Sequence, residues 1–186
     1  MGQAASRDDA TDDAALLLQA SRVAQGALGS GRRVATAESC TGGWLAKCLT
    51  DIPGSSHWFE RGYVTYSNAA KEQSLGVARE VIDTFGAVSR PTVEQMASGA
   101  LHASGAQIAA AITGIAGPSG GTPAKPVGLV WIAVALRAPG GRIESQAEEH
   151  RFGGDRDAIR RASVSAALRL LARAAATPGA GREPTG

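Results

Sequence analysis

The chain has 186 residues, of which 44% are apolar, 19% charged and 4% aromatic, with a formal net charge of +2. This length fits one domain with a sizeable core, and the composition excludes a disordered, collagen-like or disulfide-stapled protein. The charge is not gathered in blocks and the aromatic residues are scattered, so we expect no nucleic-acid partner and no membrane partner. The acidic beginning of the chain does not resemble a signal peptide, and no apolar run reaches the ~20 residues of a spanning helix. We therefore expect a cytoplasmic protein.

Hydrophobic spacing and turn residues predict alternating helices and strands. The first predicted helix begins at Asp12 or Asp13 and ends at Gly29 or Gly31, and it is followed by a strand over 33–38, a turn over 39–43 and a helix over 44–50. Next come a strand over 62–66 and three helices over 68–75, 79–85 and 92–104. The chain then continues with a strand over 107–112, a loop over 113–126, strands over 127–136 and 142–152, and a helix over 155–174.

This order predicts the α/β class, as a three-layer α/β/α sandwich with a mixed, partly parallel sheet. The strands over 127–136 and 142–152 read as a hairpin. Residues 1–11 and 175–186 have the composition of flexible tails, so the predicted domain spans residues 12–174.

The turn over residues 39–43 is the first candidate for a functional site. It follows a predicted strand and opens a predicted helix, whose first backbone N–H groups lack partners within the helix. Gly42 and Gly43 would let an anion approach these donors closely, and the Ser39 and Thr41 hydroxyls would lie beside them. The turn is therefore suited to hold a phosphate or a developing oxyanion. The alternative is that Ser39 only caps the helix, which is a common role for serine.

Lys71 is the second candidate, because lysine is scarce in this chain. Lys47, Lys71 and Lys125 are its three lysines, and Lys71 follows Tyr66 and Asn68 among small or uncharged neighbours. A lysine in a dry site loses affinity for its proton and can act as a base. The alternative is a solvated lysine on the surface.

A glycine-rich loop over residues 113–121 is the third candidate, and it contains Thr113, Gly114 and Gly117. It comes directly after a predicted core strand, and ligands of open α/β sheets bind outside the carboxyl ends of the strands. The loop matches neither the Walker motif nor the dinucleotide fingerprint. A plain connecting loop is the alternative.

Arg156 is the fourth candidate, in the first turn of a helix that Asp155 would cap. An arginine at this end of a helix is unfavourable for the helix dipole. We therefore expect a phosphate or a buried carboxylate to be its partner, unless the side chain simply lies on the surface.

The cysteines and histidines predict no separate site. Cys40 and Cys48 lack the spacing of a zinc or redox motif and are expected to be small, buried, free thiols. His57, His102 and His150 are far apart in the sequence, so we expect them to be structural or exposed. A base for Ser39 would then be a lysine, as in the Ser-Lys variants of the catalytic triad.

Several of these segments belong to a longer ordered series of motifs. In chain order, the motifs are Ala37-Glu-Ser-Cys-Thr-Gly-Gly43, Tyr66-Ser-Asn-Ala-Ala-Lys71, Gly86-Ala-Val-Ser89, Thr113-Gly-Ile-Ala-Gly-Pro118, Lys125-Pro-Val-Gly128 and Phe152-Gly-Gly-Asp-Arg156. The series resembles the CinA C-terminal domain family, the nicotinamide-nucleotide amidohydrolases, and it covers about residues 12–174.

The resemblance implies that the substrate is a small nucleotide, nicotinamide mononucleotide, whose carboxamide is hydrolysed to give nicotinate mononucleotide and ammonia. It implies Ser39 as the nucleophile, Lys71 as its base and Tyr66 as an assisting residue. This chemistry requires no metal, which fits the missing ligand cluster, and we expect no cofactor. The residues expected at the substrate are Thr41, Gly42, Gly43, Asn68, Thr113, Gly114, Gly117 and Arg156.

The resemblance also implies the stand-alone form, without the additional N-terminal domain of longer relatives and without its pyrophosphatase activity. It implies a homodimer or larger assembly, and an exposed segment at Trp58 and Phe59 would contribute to the interface. One alternative is a catalytically inactive nucleotide-binding or regulatory module on the same fold. Another is a phosphoryl-transfer enzyme, although the chain lacks a Walker lysine and an evident pair of magnesium carboxylates.

Overall fold

A five-stranded mixed sheet organises the protein, whose computed structural model describes residues 11–177. The strands are β1 (Val34–Glu38), β2 (Phe59–Val64), β3 (Ile108–Gly114), β4 (Leu129–Arg137) and β5 (Ile143–Arg151), and their order in the sheet is β2-β1-β3-β4-β5. β1 pairs in parallel with both β2 and β3, whereas β3, β4 and β5 pair antiparallel. The predicted mixed sheet and its terminal hairpin are confirmed.

Helices cover both faces of the sheet. They are α1 (Asp13–Ser30), α2 (Trp44–Thr50), α3 (Asn68–Leu75), α4 (Arg79–Phe85), α5 (Arg90–Ser104) and α6 (Arg156–Ala176), with short 3-10 turns at Ser55–His57 and Pro139–Gly141. The core under α1, α2 and α6 and the core under α3, α4 and α5 are separate clusters of buried side chains. The predicted three-layer α/β/α sandwich is therefore confirmed.

The two faces of the sheet carry side chains of different size, because successive strand residues point to opposite sides. The face under α1, α2 and α6 presents branched residues such as Val34, Ile108 and Ile132. The other face presents alanines along β1, β3 and β4, such as Ala35 and Ala109. Small side chains let a covering helix approach the sheet closely, and α5 is the helix that lies there.

The ends of the first helix confirm the predicted cap residues. The Asp12 carboxylate accepts a hydrogen bond from the Ala15 N–H at 2.8 Å, so Asp12 is the N-cap. Gly31 closes the helix in the left-handed conformation, with a φ of 66°. At the other end of the domain, α6 continues to Ala176, two residues past the predicted boundary at 174. The remainder of the predicted tails, residues 1–10 and 178–186, lies outside the described residues.

The second strand begins and ends earlier in the chain than predicted. β2 covers Phe59–Val64 rather than 62–66, because its register is set by β1: Val34 pairs with Phe59 and Glu38 pairs with Val64. Since β1 ends at Glu38, the pairing of β2 ends with it. Residues 65 and 66 therefore leave the sheet and turn towards α3.

The expectation of an exposed Trp58 is wrong. The indole is 1% exposed and belongs to the core under α1, α2 and α6. The Trp58 carbonyl accepts a hydrogen bond from the Val34 N–H at 2.8 Å, which ties the residue to the start of β1. Trp58 therefore contributes to the core and offers no surface for assembly.

Within residues 11–177, no helix is both long enough and apolar enough to cross a lipid bilayer.

Gly99 permits the close contact between α5 and α3, and its replacement tests this packing. A Cβ atom at Gly99 would lie 1.9 Å from the Leu75 carbonyl oxygen, whereas nothing lies within 4 Å of one built at Gly29. We expect Gly99→Ala to lower the free energy of unfolding by about 1–3 kcal/mol through overpacking. The matched helical control, Gly29→Ala, should be neutral or stabilising by up to about 1 kcal/mol. Urea denaturation measures both, and equal effects would contradict this role of Gly99.

Candidate active site

The crevice at the carboxyl ends of β1, β2 and β3 lies at a switch point of the sheet. The chain passes from β1 to β2 on one side and then to β3 on the other side of β1, and ligands of open α/β sheets bind at such a point. The backbone links the three strand ends: the Ser39 N–H donates to the Ile112 carbonyl at 3.0 Å, and the Thr65 N–H donates to the Glu38 carbonyl at 2.8 Å. Ser39 therefore follows the central strand directly at the crevice.

Lys71 and Ser39 meet in this crevice. The Lys71 side chain is 1% exposed, and its Nζ lies 3.1 Å from the Ser39 Oγ. The same Nζ lies 2.8 Å from the Thr65 carbonyl and 3.3 Å from the Tyr66 carbonyl. The alternative of a solvated surface lysine is therefore wrong, and burial lowers the pKa of Lys71 from its usual value of 10.5.

Local sequence accounts for the inward position of Lys71. The Ser67 side chain caps α3 by accepting the Ala70 N–H at 3.1 Å. Lys71 and Leu75 lie four residues apart, on the same face of the helix, and both are buried. Because the apolar Leu75 faces the core, Lys71 is carried inwards with it.

Cys40 lies next to Ser39, and its thiol is buried. Burial raises the pKa of the Cys40 thiol to about 11, and the neutral thiol is a poor nucleophile. Cys40 and Cys48 are both free and buried, as the sequence predicted. Among the described residues, none of the three histidines is hydrogen-bonded to Ser39 or Lys71, and His57 and His102 are exposed.

Glu38 is a residue of the site that the sequence reasoning missed. Its fully buried carboxylate accepts hydrogen bonds from the N–H groups of Gly43, Leu45 and Ala46 at 3.1, 3.0 and 2.8 Å. Glu38 therefore satisfies the start of α2, and the alternative that Ser39 caps this helix is wrong. The available signal was an acidic residue five positions before the first amide that it binds.

The glycine amides of the turn are occupied by the protein itself. Gly42 and Gly43 have φ values of 61° and 94°, which allow the tight turn. The Gly42 N–H donates to the Ser39 carbonyl at 3.1 Å, and the Gly43 N–H donates to Glu38. In the part of the chain that the structure describes, the Cys40 and Thr41 N–H groups donate to no other residue. The donors left for an oxyanion are therefore those of Cys40 and Thr41.

Arg160 was also missed, and it binds the same turn from α6. Its Nε donates to the Cys40 carbonyl at 3.1 Å and its Nη2 to the Thr41 carbonyl at 2.8 Å. Thr41 is fully buried beneath these contacts, and its hydroxyl has no partner among the described residues. Thr41 thus contributes to the turn through its backbone.

Arg156 joins the segments that follow β2 and β3. Its Nη1 donates to the Gly117 carbonyl at 2.8 Å, and its Nη2 donates to the Tyr66 hydroxyl at 3.0 Å. A carbonyl and a hydroxyl thus stand where a phosphate or buried carboxylate was expected. Tyr66 is 60% exposed, so this pair lies at the open side of the crevice.

Three of the remaining predicted site residues lie at the end of β3 and at the start of α3. The Thr113 hydroxyl is buried and donates to the Ala87 carbonyl at 2.8 Å. Gly114 ends β3, where a Cβ atom would lie 2.9 Å from the Leu129 carbonyl oxygen. Asn68 is exposed at the start of α3.

Lys125 holds the glycine-rich loop in place. Its Nζ donates to the carbonyls of Phe85 and Val88 at 2.6 and 2.8 Å. The loop is therefore fixed against the segment between α4 and α5, on the same side as the Thr113 contact.

Comparison with known proteins places this geometry in a family. The chain is 52% identical over 159 residues to nicotinamide-nucleotide amidohydrolase PncC of Escherichia coli strain K12, covering 86% of this chain and 94% of that protein. It is 55% identical over 136 residues to the protein of the same name from Pseudomonas putida, covering 73% and 82%.

A solved structure agrees with these matches. The competence/damage inducible protein CihA from Agrobacterium tumefaciens superposes with a TM-score of 0.78 at 44% identity, covering 92% of this chain and 97% of that chain. The family model described as the CinA C-terminal domain matches residues 18–175. With its fold, its ordered motifs and its relatives in agreement, the chain belongs to the CinA C-terminal domain family.

Proposed function

We propose that this protein is an amidohydrolase that converts nicotinamide mononucleotide to nicotinate mononucleotide and ammonia, with Ser39 as the nucleophile and Lys71 as its base. Two relatives named nicotinamide-nucleotide amidohydrolase are 52% and 55% identical to it and match most of its length, which supports the substrate. The contact between the buried Lys71 amine and the Ser39 hydroxyl carries the mechanism.

The three partners of Lys71 can accommodate the neutral amine as well as the ammonium. A neutral amine has two N–H donors and one lone pair. The Thr65 and Tyr66 carbonyls are acceptors only, so they engage the two N–H groups. The lone pair then faces the Ser39 hydroxyl, whose proton it can accept. The lowered pKa of Lys71 increases the fraction of this neutral form.

In the first half of the reaction, the Ser39 Oγ attacks the carboxamide carbon while its proton passes to Lys71. The resulting ammonium then gives this proton to the departing nitrogen, so that the C–N bond breaks, ammonia leaves and an ester on Ser39 remains. In the second half, Lys71 takes a proton from water, and the hydroxide hydrolyses the ester. The Lys71 ammonium returns that proton to Ser39 as the bond to Oγ breaks.

Amides are poor electrophiles, so the oxyanion that forms in each half needs stabilisation. The N–H groups of Cys40 and Thr41 are the donors of the turn that, among the described residues, bind no other residue. One such donor contributes roughly 3 kcal/mol to lowering a barrier of this kind.

Arg156 and Tyr66 bind the anionic part of the nucleotide in this proposal. The guanidinium has five N–H donors, and its contacts to Gly117 and Tyr66 use two of them. The remaining donors can reach a phosphate at the open side of the crevice, and Asn68 lies exposed on the same rim. Thr113, Gly114 and Gly117 shape the wall.

We also propose a homodimer or larger assembly, on the strength of the family resemblance, and a cytoplasmic location, as expected from the sequence. Trp58 does not support an interface, since it is buried. Light scattering on the purified protein measures the assembly.

Ammonia release from nicotinamide mononucleotide tests the proposed residues. We expect Ser39→Ala to lower kcat/KM at least about 10³-fold and Lys71→Met to lower it about 10²–10⁴-fold, while Lys47→Met, which changes an exposed lysine paired with Asp51, leaves it unchanged. Wild-type rates in Ser39→Ala would contradict the role of Ser39 as the nucleophile. Calorimetric binding of the nucleotide without any ammonia release by the wild type would instead indicate a binding module.

The pH dependence of kcat/KM tests the protonation state of Lys71. The neutral amine is the active form, so activity should rise as the pH increases through a single ionisation whose pKa lies below 10.5. Activity that falls as the pH rises through this ionisation would contradict a Lys71 base.

The pH dependence of stability tests the burial of the same amine without any substrate. Because the pKa of Lys71 is lower in the folded than in the unfolded protein, the unfolded chain binds more protons between the folded pKa and 10.5. The wild type should therefore gain stability relative to Lys71→Met as the pH is raised through that interval. Urea denaturation at several pH values measures this difference, and a difference independent of pH would contradict the lowered pKa.

A further inference from the structure

A single guanidinium holds the two residues that follow Ser39. The Arg160 side chain is half-buried, and it donates from Nε to the Cys40 carbonyl at 3.1 Å and from Nη2 to the Thr41 carbonyl at 2.8 Å. Hydrogen bonds from a charged donor are stronger than neutral ones, and the planar fork of arginine fixes the direction of both. Arg160 thus sets the orientation of two successive peptide planes.

The orientation of these planes determines where the amides point. In a trans peptide the C=O and the following N–H point in opposite directions. With the Cys40 carbonyl held towards Arg160, the Thr41 N–H points away from it. With the Thr41 carbonyl held as well, the Gly42 N–H reaches the Ser39 carbonyl at 3.1 Å. The contact therefore aims an unpaired amide and closes the turn on Ser39 at the same time.

The position of Arg160 is itself constrained by Trp44. The guanidinium carbon of Arg160 lies 5.0 Å from the centroid of the Trp44 ring, and that of Arg161 lies 4.8 Å from it. Arg161 directs its N–H groups to Asp13 and Asp157 instead. The two neighbouring arginines thus share a helix and an aromatic partner, but of these two side chains Arg160 is the one that donates hydrogen bonds to the turn.

We propose that Arg160 is a positioning residue for the hydrolysis: by holding the Cys40 and Thr41 carbonyls, it sets the turn so that Ser39 faces Lys71 and the oxyanion donors face the carboxamide. This inference rests on the proposed function, since it needs Ser39 to be the nucleophile. Arg160 acts through the backbone of the turn and not on the substrate. Its removal should therefore slow the chemical step and leave substrate binding nearly unchanged.

Steady-state kinetics of ammonia release from nicotinamide mononucleotide tests the role, with Arg161→Ala as the matched control. We expect Arg160→Ala to lower kcat about 10²-fold, the cost of misplacing a reacting group by about 1 Å, with KM changed by less than about threefold. Arg161→Ala should keep kcat within about threefold of the wild type. Guanidinium chloride at about 20 mM should restore part of the kcat lost in Arg160→Ala, because the free ion can occupy the vacated position between the two carbonyls.

Arg160→Lys provides a second test in case Arg160→Ala does not fold, because lysine retains the charge and the aliphatic stem. A lysine amine is a point charge and does not reproduce the two-pronged contact, so we expect a folded protein with kcat lowered at least tenfold. Wild-type kcat in Arg160→Lys would overturn the proposal, as would equal losses in Arg160→Ala and Arg161→Ala, or a loss confined to KM.

Failure of this inference is distinguishable from failure of the proposed function. If the wild type releases ammonia, Ser39→Ala does not, and the arginine variants behave alike, only the role of Arg160 is overturned. If the wild type releases no ammonia, or Ser39→Ala retains its rate, the proposed function and this inference fall together.

Discussion

The burial of one lysine amine against one serine hydroxyl is the constraint on which the rest of the site depends. A charged amine removed from water is unfavourable, and it responds with a lowered pKa or with close partners. Lys71 shows both: burial lowers its pKa, and its Nζ has the Thr65 and Tyr66 carbonyls within 2.8 and 3.3 Å. The same partners leave the Ser39 hydroxyl as the third contact of the nitrogen. Burying a titratable amine in this way comes at a cost in stability.

The fold meets this constraint through the topology of its sheet. β1 lies between two parallel neighbours, so the residue after it stands at the meeting point of three strand ends. β2 ends where β1 ends, which turns residues 65 and 66 towards α3 and brings their carbonyls to Lys71. Ser39 and Lys71, the proposed nucleophile and base, thus come from separate crossover units, and the register of the parallel strands brings them together.

The turn after β1 is held from two sides by opposite charges. The Glu38 carboxylate accepts hydrogen bonds from the Gly43 N–H and from N–H groups at the start of α2. The Arg160 guanidinium donates to the carbonyls of the two residues that follow Ser39. Both groups bind the protein's own backbone, so the conformation of the turn is held by contacts within the chain. A preorganised arrangement of this kind needs little rearrangement when negative charge develops.

Local patterns in the sequence predicted the order of helices and strands, the cap at Asp12, the mixed α/β sheet and the segments that carry Ser39 and Lys71. These features depend on short-range periodicity and turn chemistry, and the ordered motifs identified the family. The partner of each polar group was decided by the tertiary structure. The tertiary structure sets the limits of β2 and buries Trp58. It also pairs the glycine amides of the turn with Glu38 and Ser39, and it places Arg160 at the Thr41 carbonyl, 119 positions away in the sequence. A hydrogen bond between residues so far apart depends on the packing of α6 against the sheet, which no local pattern records.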